Sequence, residues 1–180
     1  NIIYVFIFLL GCEQNEIPVL KHPAGEINST QIDMGSTYNQ QIYYTLKDNI
    51  AVTENQKTEW DIAFQCSEEG WNIIINSSTF SQIAELENTS FIDSVSINDL
   101  NWKWDSPKGI SHGTAFGDYR NQNTLYILDR GYDLDGSLRG YKKIINDSIN
   151  SNSYFIKYAN LDNTNLHTLE IIKDNTLNFQ

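Results

Sequence analysis

Residues 60–76 read WDIAFQCSEEGWNIIIN, and this stretch decides the fold. Trp60, Ile62 and Phe64 alternate with polar or small residues, a four-residue turn (67–70) follows, and the alternation then resumes. A period of two is typical of a strand that buries one face and exposes the other. The stretch therefore predicts a β-hairpin. Because an isolated hairpin is only marginally stable in water, further strands must pack against it.

The remainder of the chain supplies those strands. The clearest alternating segments are Leu125–Arg130, Gly140–Ile145, Tyr154–Ala159 and Leu166–Ile172. They are separated by turns rich in Asp, Asn and Gly, which predicts an antiparallel meander. Earlier strands are predicted at Tyr38–Leu46 and Ile50–Thr53, whereas Phe80–Leu86 fits either one or two helical turns or a connecting loop. We therefore expect an all-β fold, an antiparallel meander or sandwich, over residues 31–180.

Composition excludes one class of partner. The 180 residues carry 12 Lys and Arg against 23 Asp and Glu, a formal net charge of −11. Affinity for a phosphate backbone comes mainly from Lys and Arg, so nucleic acid is not an expected partner. The length suits a single domain with its own hydrophobic core.

The first residues are predicted to be a targeting segment rather than part of the fold. Ile2–Leu10 is an apolar run of the length found in secretory signals, and it ends at Gly11-Cys12. This ending resembles the lipobox of bacterial lipoproteins, which predicts Cys12 as the lipid attachment residue. Residues 1–11 are then an incomplete signal peptide and 12–30 a lipid-anchored tether. The chain begins without Met, and Thr176–Gln180 begins a strand with an unpaired edge, so we expect both ends to be clipped.

The sequence shows no constellation typical of an enzyme. Ser, His and Asp are present, but no strand-turn-helix setting for a nucleophile is evident, so no catalytic residue is predicted. Cys66 has no partner if Cys12 carries lipid, and it is interpreted as a buried, free thiol. Four basic residues flank the turn between the first two strands of the meander and are interpreted as a solvated face: Arg130, Arg139, Lys142 and Lys143.

One loop is the leading candidate for a binding site. Residues 105–118 contain Pro, three Gly and His112 without any periodic pattern, and long irregular loops are often functional. Trp102 and Trp104 precede the loop and are predicted to form an aromatic wall for a flat ligand. His112 is the candidate ligand for a metal or haem iron, and Met34 is a second candidate because a thioether can also ligate haem. His167 is interpreted as a rim or core histidine.

Several segments resemble the HmuY family of Bacteroidota lipoproteins. The resemblance extends from about Gln31 onward and is strongest around Trp60 and Tyr126. The segments that carry it are Asp33-Met34-Gly35 with Tyr38 and Gln41, Trp60 to Phe64, Trp71 to Asn76, Tyr126 to Gly131, and Gly140 to Lys143.

The resemblance implies a function as well as a fold. It implies an all-β domain on the outer membrane that binds haem through two axial side chains and passes it to a TonB-dependent receptor. No pair of histidines here stands in a recognisable motif of that family. The alternative is an envelope lipoprotein that binds something other than haem or acts as a scaffold.

Overall fold

The computed structural model of the protein describes residues 19–21, 25, 29–120 and 123–180. The chain divides into two compact units, residues 1–32 and residues 33–180. The described residues of the first unit contain neither helix nor strand. Cys12, the predicted lipid attachment residue, lies outside the described residues. The ten described strands all belong to the second unit.

The regular secondary structure of the second unit is almost entirely antiparallel strand, which confirms the predicted all-β class. In chain order the strands are β1 (Gln40–Thr45), β2 (Ile50–Gln56), β3 (Ile62–Phe64), β4 (Ile73–Ile75), β5 (Gln82–Leu86), β6 (Trp102–Lys103), β7 (Leu125–Asp129), β8 (Tyr141–Ile149), β9 (Ser153–Ala159) and β10 (His167–Ile172). A six-stranded sheet has the spatial order β10-β9-β8-β7-β5-β6. Each neighbouring pair in it is antiparallel. The predicted meander is therefore confirmed as β7 to β10, and β1–β2 forms a separate hairpin.

The hairpin of β3 and β4 packs against one face of this sheet. Phe64 lies opposite Ile73, and Ile62 lies opposite Ile75. The hairpin contributes Phe64, Ile73 and Ile75 to the hydrophobic core, and the sheet contributes Ile83, Tyr126, Leu128, Ile144, Tyr154 and Ile156. The stretch 60–76 thus forms the predicted hairpin, and it covers a larger sheet rather than standing at its centre.

Strand β5 contradicts the expectation of a helix or loop at Phe80–Leu86. It is a central strand with β6 on one side and β7 on the other. Its adjacent residues Ile83 and Ala84 point to opposite faces, and both have 0% of their surface exposed. A strand covered on both faces loses the alternation of apolar and polar residues, so its sequence can be mistaken for a helical turn.

The C-terminal residues also differ from expectation. They run alongside β3 instead of leaving an unpaired edge: the Phe64 amide donates to the Gln180 carbonyl at 2.8 Å, and the Gln180 amide donates back at 3.0 Å. The Cys66 amide donates to the Asn178 carbonyl at 3.0 Å. The Cys66 side chain has 0% of its surface exposed and forms no disulfide, as predicted.

A buried lysine fixes the segment that crosses the other face of the sheet. The Nζ of Lys143 donates hydrogen bonds to the carbonyls of Phe91 at 2.5 Å and Asp93 at 3.4 Å, and to the side chain of Asn163. Burial lowers the pKa of Lys143, since the ammonium has lost most of its water. The interpretation of the basic cluster as a solvated face is wrong at this position, because Lys143 has 0% of its surface exposed.

Candidate functional site

The loop that contains His112 is held in place by one carboxylate. Asp105 accepts hydrogen bonds from the backbone amides of Ile75 at 2.8 Å and Ala115 at 2.7 Å. Burial raises the pKa of Asp105, and the two amide hydrogen bonds oppose that rise. The Asp105 side chain thus joins β4 to both ends of a loop whose sequence has no periodic pattern.

His112 stands beside a groove formed by this loop. It is the last residue of a short 3-10 turn, Ile110–His112, and its side chain is exposed. Its two chain neighbours line the groove, which has a volume of about 530 Å³. We call this the loop groove, and its lining residues are Trp71, Asn72, Ile110, Ser111, Gly113, Thr114, Gly117 and Asp118.

None of the predicted site residues lines the loop groove itself, and His112 adjoins it only through its two chain neighbours. Trp102 is half-buried in β6, and its ring centroid lies 6.0 Å from that of Tyr141. Trp104 is 58% exposed and Met34 is 43% exposed. The proposed roles of Met34 and His112 as iron ligands stay predictions.

The aromatic wall of the loop groove is Trp71 and not the predicted pair of Trp102 and Trp104. The guanidinium carbon of Arg120 lies 3.9 Å from the centroid of the Trp71 ring, close enough for a cation–π contact. Arg120 also pairs with Asp118 at 2.7 Å. Trp71 precedes β4 instead of belonging to it, so strand alternation was no guide to the direction of its ring. Trp71 therefore lines the groove while Arg120 covers one face of its ring.

A second concavity, which we call the sheet cleft, lies between the β3–β4 hairpin and strands β7 to β10. Its volume is about 540 Å³, within the usual range of small-molecule sites. Its apolar lining residues are Trp60, Ile62, Phe64, Leu128, Ile144, Ile156, Leu169 and Ile171. The cleft therefore continues the hydrophobic core outward to solvent.

Tyr158 and His167 form one wall of the sheet cleft. They are directly opposite each other in the β9–β10 register, so their side chains leave the same face of the sheet. Their rings stack at a centroid distance of 5.0 Å and an interplanar angle of 20°. His167 is exposed, which agrees with its interpretation as a rim residue. Alternation along β10 places His167 on the same face of the sheet as Leu169 and Ile171. That alternation gave no sign that the β3–β4 hairpin lies opposite this face.

Two arginines pair with one acid at one end of the sheet cleft, and a lysine lines the same cleft. Asp61, Arg130 and Lys142 line it, and Arg139 lies behind them. The Arg130 Nε is 2.9 Å from Asp61 Oδ2, and the Arg139 Nη2 is 2.8 Å from Asp61 Oδ1. The second contact is an ion pair without an aligned hydrogen bond, because Arg139 Nη2 donates to the Thr58 carbonyl at 2.8 Å. This end of the cleft therefore carries a local excess of positive charge.

Replacing the central acid of this cluster is expected to destabilise the protein. In Asp61→Asn, the guanidinium of Arg139, whose side chain is 6% exposed, loses its only described anionic partner. Breaking a fully buried pair costs about 3–5 kcal/mol. Because the Asp61 side chain is 29% exposed, we expect a loss of about 2 kcal/mol in the free energy of unfolding, measured by urea denaturation. Asp118→Asn, which breaks the exposed pair with Arg120, is the matched control and should change the urea midpoint little.

The described residues contain no cluster of three or more His, Cys, Asp or Glu side chains that could hold a bare metal ion. A porphyrin brings four nitrogen ligands of its own, so a haem site needs only one or two axial side chains from the protein. An exposed imidazole beside an aromatic groove, as at His112, meets that smaller requirement. Within the described residues, no helix has both the length and the apolar character of a membrane span.

Comparison with known proteins identifies the family but no individual relative. Neither a curated protein nor a solved structure matches the chain. The family model described as HmuY protein matches residues 37–178, which include all the described strands, the loop groove and the sheet cleft. The chain therefore belongs to the HmuY family.

Proposed function

We propose that this protein is a surface lipoprotein that binds haem at the loop groove, with His112 as an axial ligand of the iron. The observation that carries the proposal is the exposed imidazole of His112 between two residues that line a groove beside Trp71. Membership of the HmuY family supports haem as the ligand, because that family is associated with haem binding.

The chemistry of the loop groove suits a flat, anionic ligand. Trp71 lines the groove and gives a porphyrin an aromatic contact on the part of its ring that Arg120 does not cover. Arg120 binds Asp118 through Nε and Nη2, and its Nη1 can pair with a propionate carboxylate. The hydrogen bonds of Asp105 hold the loop in one conformation before the ligand arrives, which lowers the entropic cost of binding. Met34 remains the candidate for the second axial position.

The cellular setting belongs to the same proposal. Lipidation at Cys12 anchors the chain to the outer membrane, and the tether 12–30 presents the β-domain at the cell surface. Haem held in the loop groove is then passed to a TonB-dependent receptor. Binding without chemical change of the ligand agrees with the absence of any catalytic motif in the sequence.

Titration of the purified chain with hemin tests the proposal. We expect a shifted, saturable Soret band, and His112→Ala should lower the affinity by on the order of tenfold, because the iron loses an axial bond. His167→Ala is the matched control, since it also removes an exposed imidazole but lies at the sheet cleft. Met34→Ala should convert a six-coordinate spectrum to a five-coordinate one.

Two outcomes would count against this assignment. A flat titration with the unmodified chain would remove haem binding and favour the alternative, an envelope lipoprotein with another ligand or a scaffold role. A Soret shift that survives in His112→Ala but disappears in His167→Ala would retain haem and move its site to the sheet cleft.

A further inference from the structure

We infer that the sheet cleft is a second ligand site, one that binds a small amphipathic carboxylate with its acid group at Arg130 and Lys142 and its apolar body toward Leu169 and Ile171. The inference goes beyond haem binding and does not depend on it, because it rests on a different cavity and a ligand without iron.

Strand register gives the cleft a polar end and an apolar end. In one row across the sheet, Lys142 is the neighbour of Leu128 and its Nζ contacts Asn160. In the next row Ile144 pairs with Tyr158, and Tyr158 pairs with His167. Polarity therefore falls from row to row along the strands.

Two further rows of the same face complete the gradient. Ile156 lies opposite Leu169, and Tyr154 lies opposite Ile171. On the facing hairpin, Asp61 contacts Arg130 at the polar end, whereas the Phe64 ring lies 5.0 Å from the Tyr154 ring at the apolar end. Both walls thus change from charged to apolar in the same direction, so an elongated ligand has one favoured orientation.

Charge selects the sign of the ligand's polar group. The carboxylate of Asp61 neutralises one of the three positive charges of Arg130, Arg139 and Lys142. This end of the cleft therefore keeps a net positive charge. The whole chain carries a net charge of −11, so this local excess runs against the general surface. Lys142 is half-buried, and a half-buried ammonium attracts an anion more strongly than one in bulk water. A carboxylate satisfies this cluster, whereas a cation is repelled.

The apolar part of the cleft is open to a ligand. Leu169 is 40% exposed although it lines the cleft together with Phe64 and with Ile156, its neighbour on β9. Covering such surface with a hydrocarbon chain gains about 25 cal/mol for each Å² removed from water. The core beneath it is continuous with the folded hairpin, so the site is formed before the ligand binds.

Titration of the full chain with decanoate, and separately with decan-1-ol, tests the inference through calorimetry and the fluorescence of Trp60 in the cleft wall. We expect decanoate to bind about tenfold more tightly than the alcohol, because only the acid forms a charge-assisted contact. Lys142→Met should lower decanoate affinity about tenfold and leave the alcohol unchanged. Leu169→Glu should weaken both, since it places an anion in the apolar half.

Lys108→Met is the matched control, because it removes the same charge from an exposed residue outside the cleft. Equal affinities for acid and alcohol, no saturable decanoate binding, or an unchanged decanoate affinity in Lys142→Met would each overturn the inference. The result is separable from the haem proposal: decanoate binding should persist in His112→Ala, and the hemin spectrum should persist in Lys142→Met.

Discussion

Raising the pH above 10 is expected to unfold the protein steeply, at a cost of about 4 kcal/mol for each pH unit. Three tyrosines of the core, Tyr119, Tyr126 and Tyr154, are at most 1% exposed. Burial raises the pKa of each of these phenols well above 10, because the phenolate would lose its water. Their hydroxyl groups donate to backbone carbonyls, which only the protonated form can do.

Whether stability rises or falls with pH depends on how many protons the native and unfolded states bind. Above the unfolded pKa of about 10, the unfolded chain releases these three protons while the native state keeps them. The native state then binds more protons, so its stability falls as the pH rises and is fully present only below about pH 10. Each phenol contributes about 1.4 kcal/mol per pH unit, and a domain with 5–15 kcal/mol of stability should unfold within roughly three pH units.

Two buried lysines act in the opposite direction over a limited range. Burial lowers the pKa of Lys143 and Lys173, so the native state holds fewer protons than the unfolded state until unfolded lysines titrate near 10.5. Above about pH 11 both states have lost these protons, and the slope comes from the three core tyrosines together with Cys66 and Tyr141, whose pKa values burial also raises.

Urea denaturation at pH 9, 10, 11 and 12, with absorbance at 295 nm to follow phenolate formation, measures this slope. Tyr126→Phe should reduce it by about a third, whereas Tyr38→Phe, at a side chain that is 69% exposed, should leave it unchanged. Because the chain has ten tyrosines, the signal of a core phenol is the difference in 295 nm absorbance between the unmodified chain and Tyr126→Phe. If that difference appears before the far-ultraviolet signal of unfolding, the native core ionises and the prediction is contradicted.

The parts of the fold that could be predicted are the strands with clear turns on both sides. Alternation together with these turns located β7 to β10 to within a few residues, even though β7 is buried on both faces. It failed for β5, whose two faces are both covered, and it extended β3 over residues that are not in the ladder. The C-terminal pairing with β3 was missed because backbone hydrogen bonds between distant segments leave no local pattern.

The candidate sites show the same limit. A loop without periodicity pointed to His112, since irregular loops that persist in a compact domain often bind ligands. Trp71, which lines the loop groove, and Arg120, which lies over its ring, are 49 positions apart and meet only through the tertiary fold. The sheet cleft could not be foreseen, because Asp61 and Lys142 come together only when the hairpin docks on the sheet. Sequence patterns show which face of a strand is apolar, whereas only the structure shows which other element packs against that face.

Gly131→Ala is expected to be the most destabilising small substitution near the sheet cleft. Gly131 follows Arg130 and has a φ of +68°, a conformation that costs an L-residue about 1–2 kcal/mol. A Cβ at this position would lie 1.9 Å from the Thr79 carbonyl oxygen and 2.8 Å from its carbon. Both are backbone atoms, and the Thr79 carbonyl oxygen also accepts a hydrogen bond from the Tyr132 amide at 2.9 Å. This backbone segment therefore cannot rotate away from the new methyl group. We expect a loss of about 4 kcal/mol, or failure to fold, because overpacking adds to the backbone strain.

Gly136→Ala separates the backbone strain from the steric contact with Thr79. Gly136 lies in the same connection between β7 and β8, which makes it a matched position. Its φ is +84°, but a Cβ there would meet no atom within 4 Å, so only the backbone strain of about 1–2 kcal/mol applies. The difference between the two variants in guanidinium midpoint, at unchanged m-value, measures the close approach of Gly131 to Thr79. Equal midpoints would show that the Thr79 segment yields to a methyl group. In that case the backbone beside Arg130 would not be rigid, and the fixed polar end of the sheet cleft would lose its structural basis.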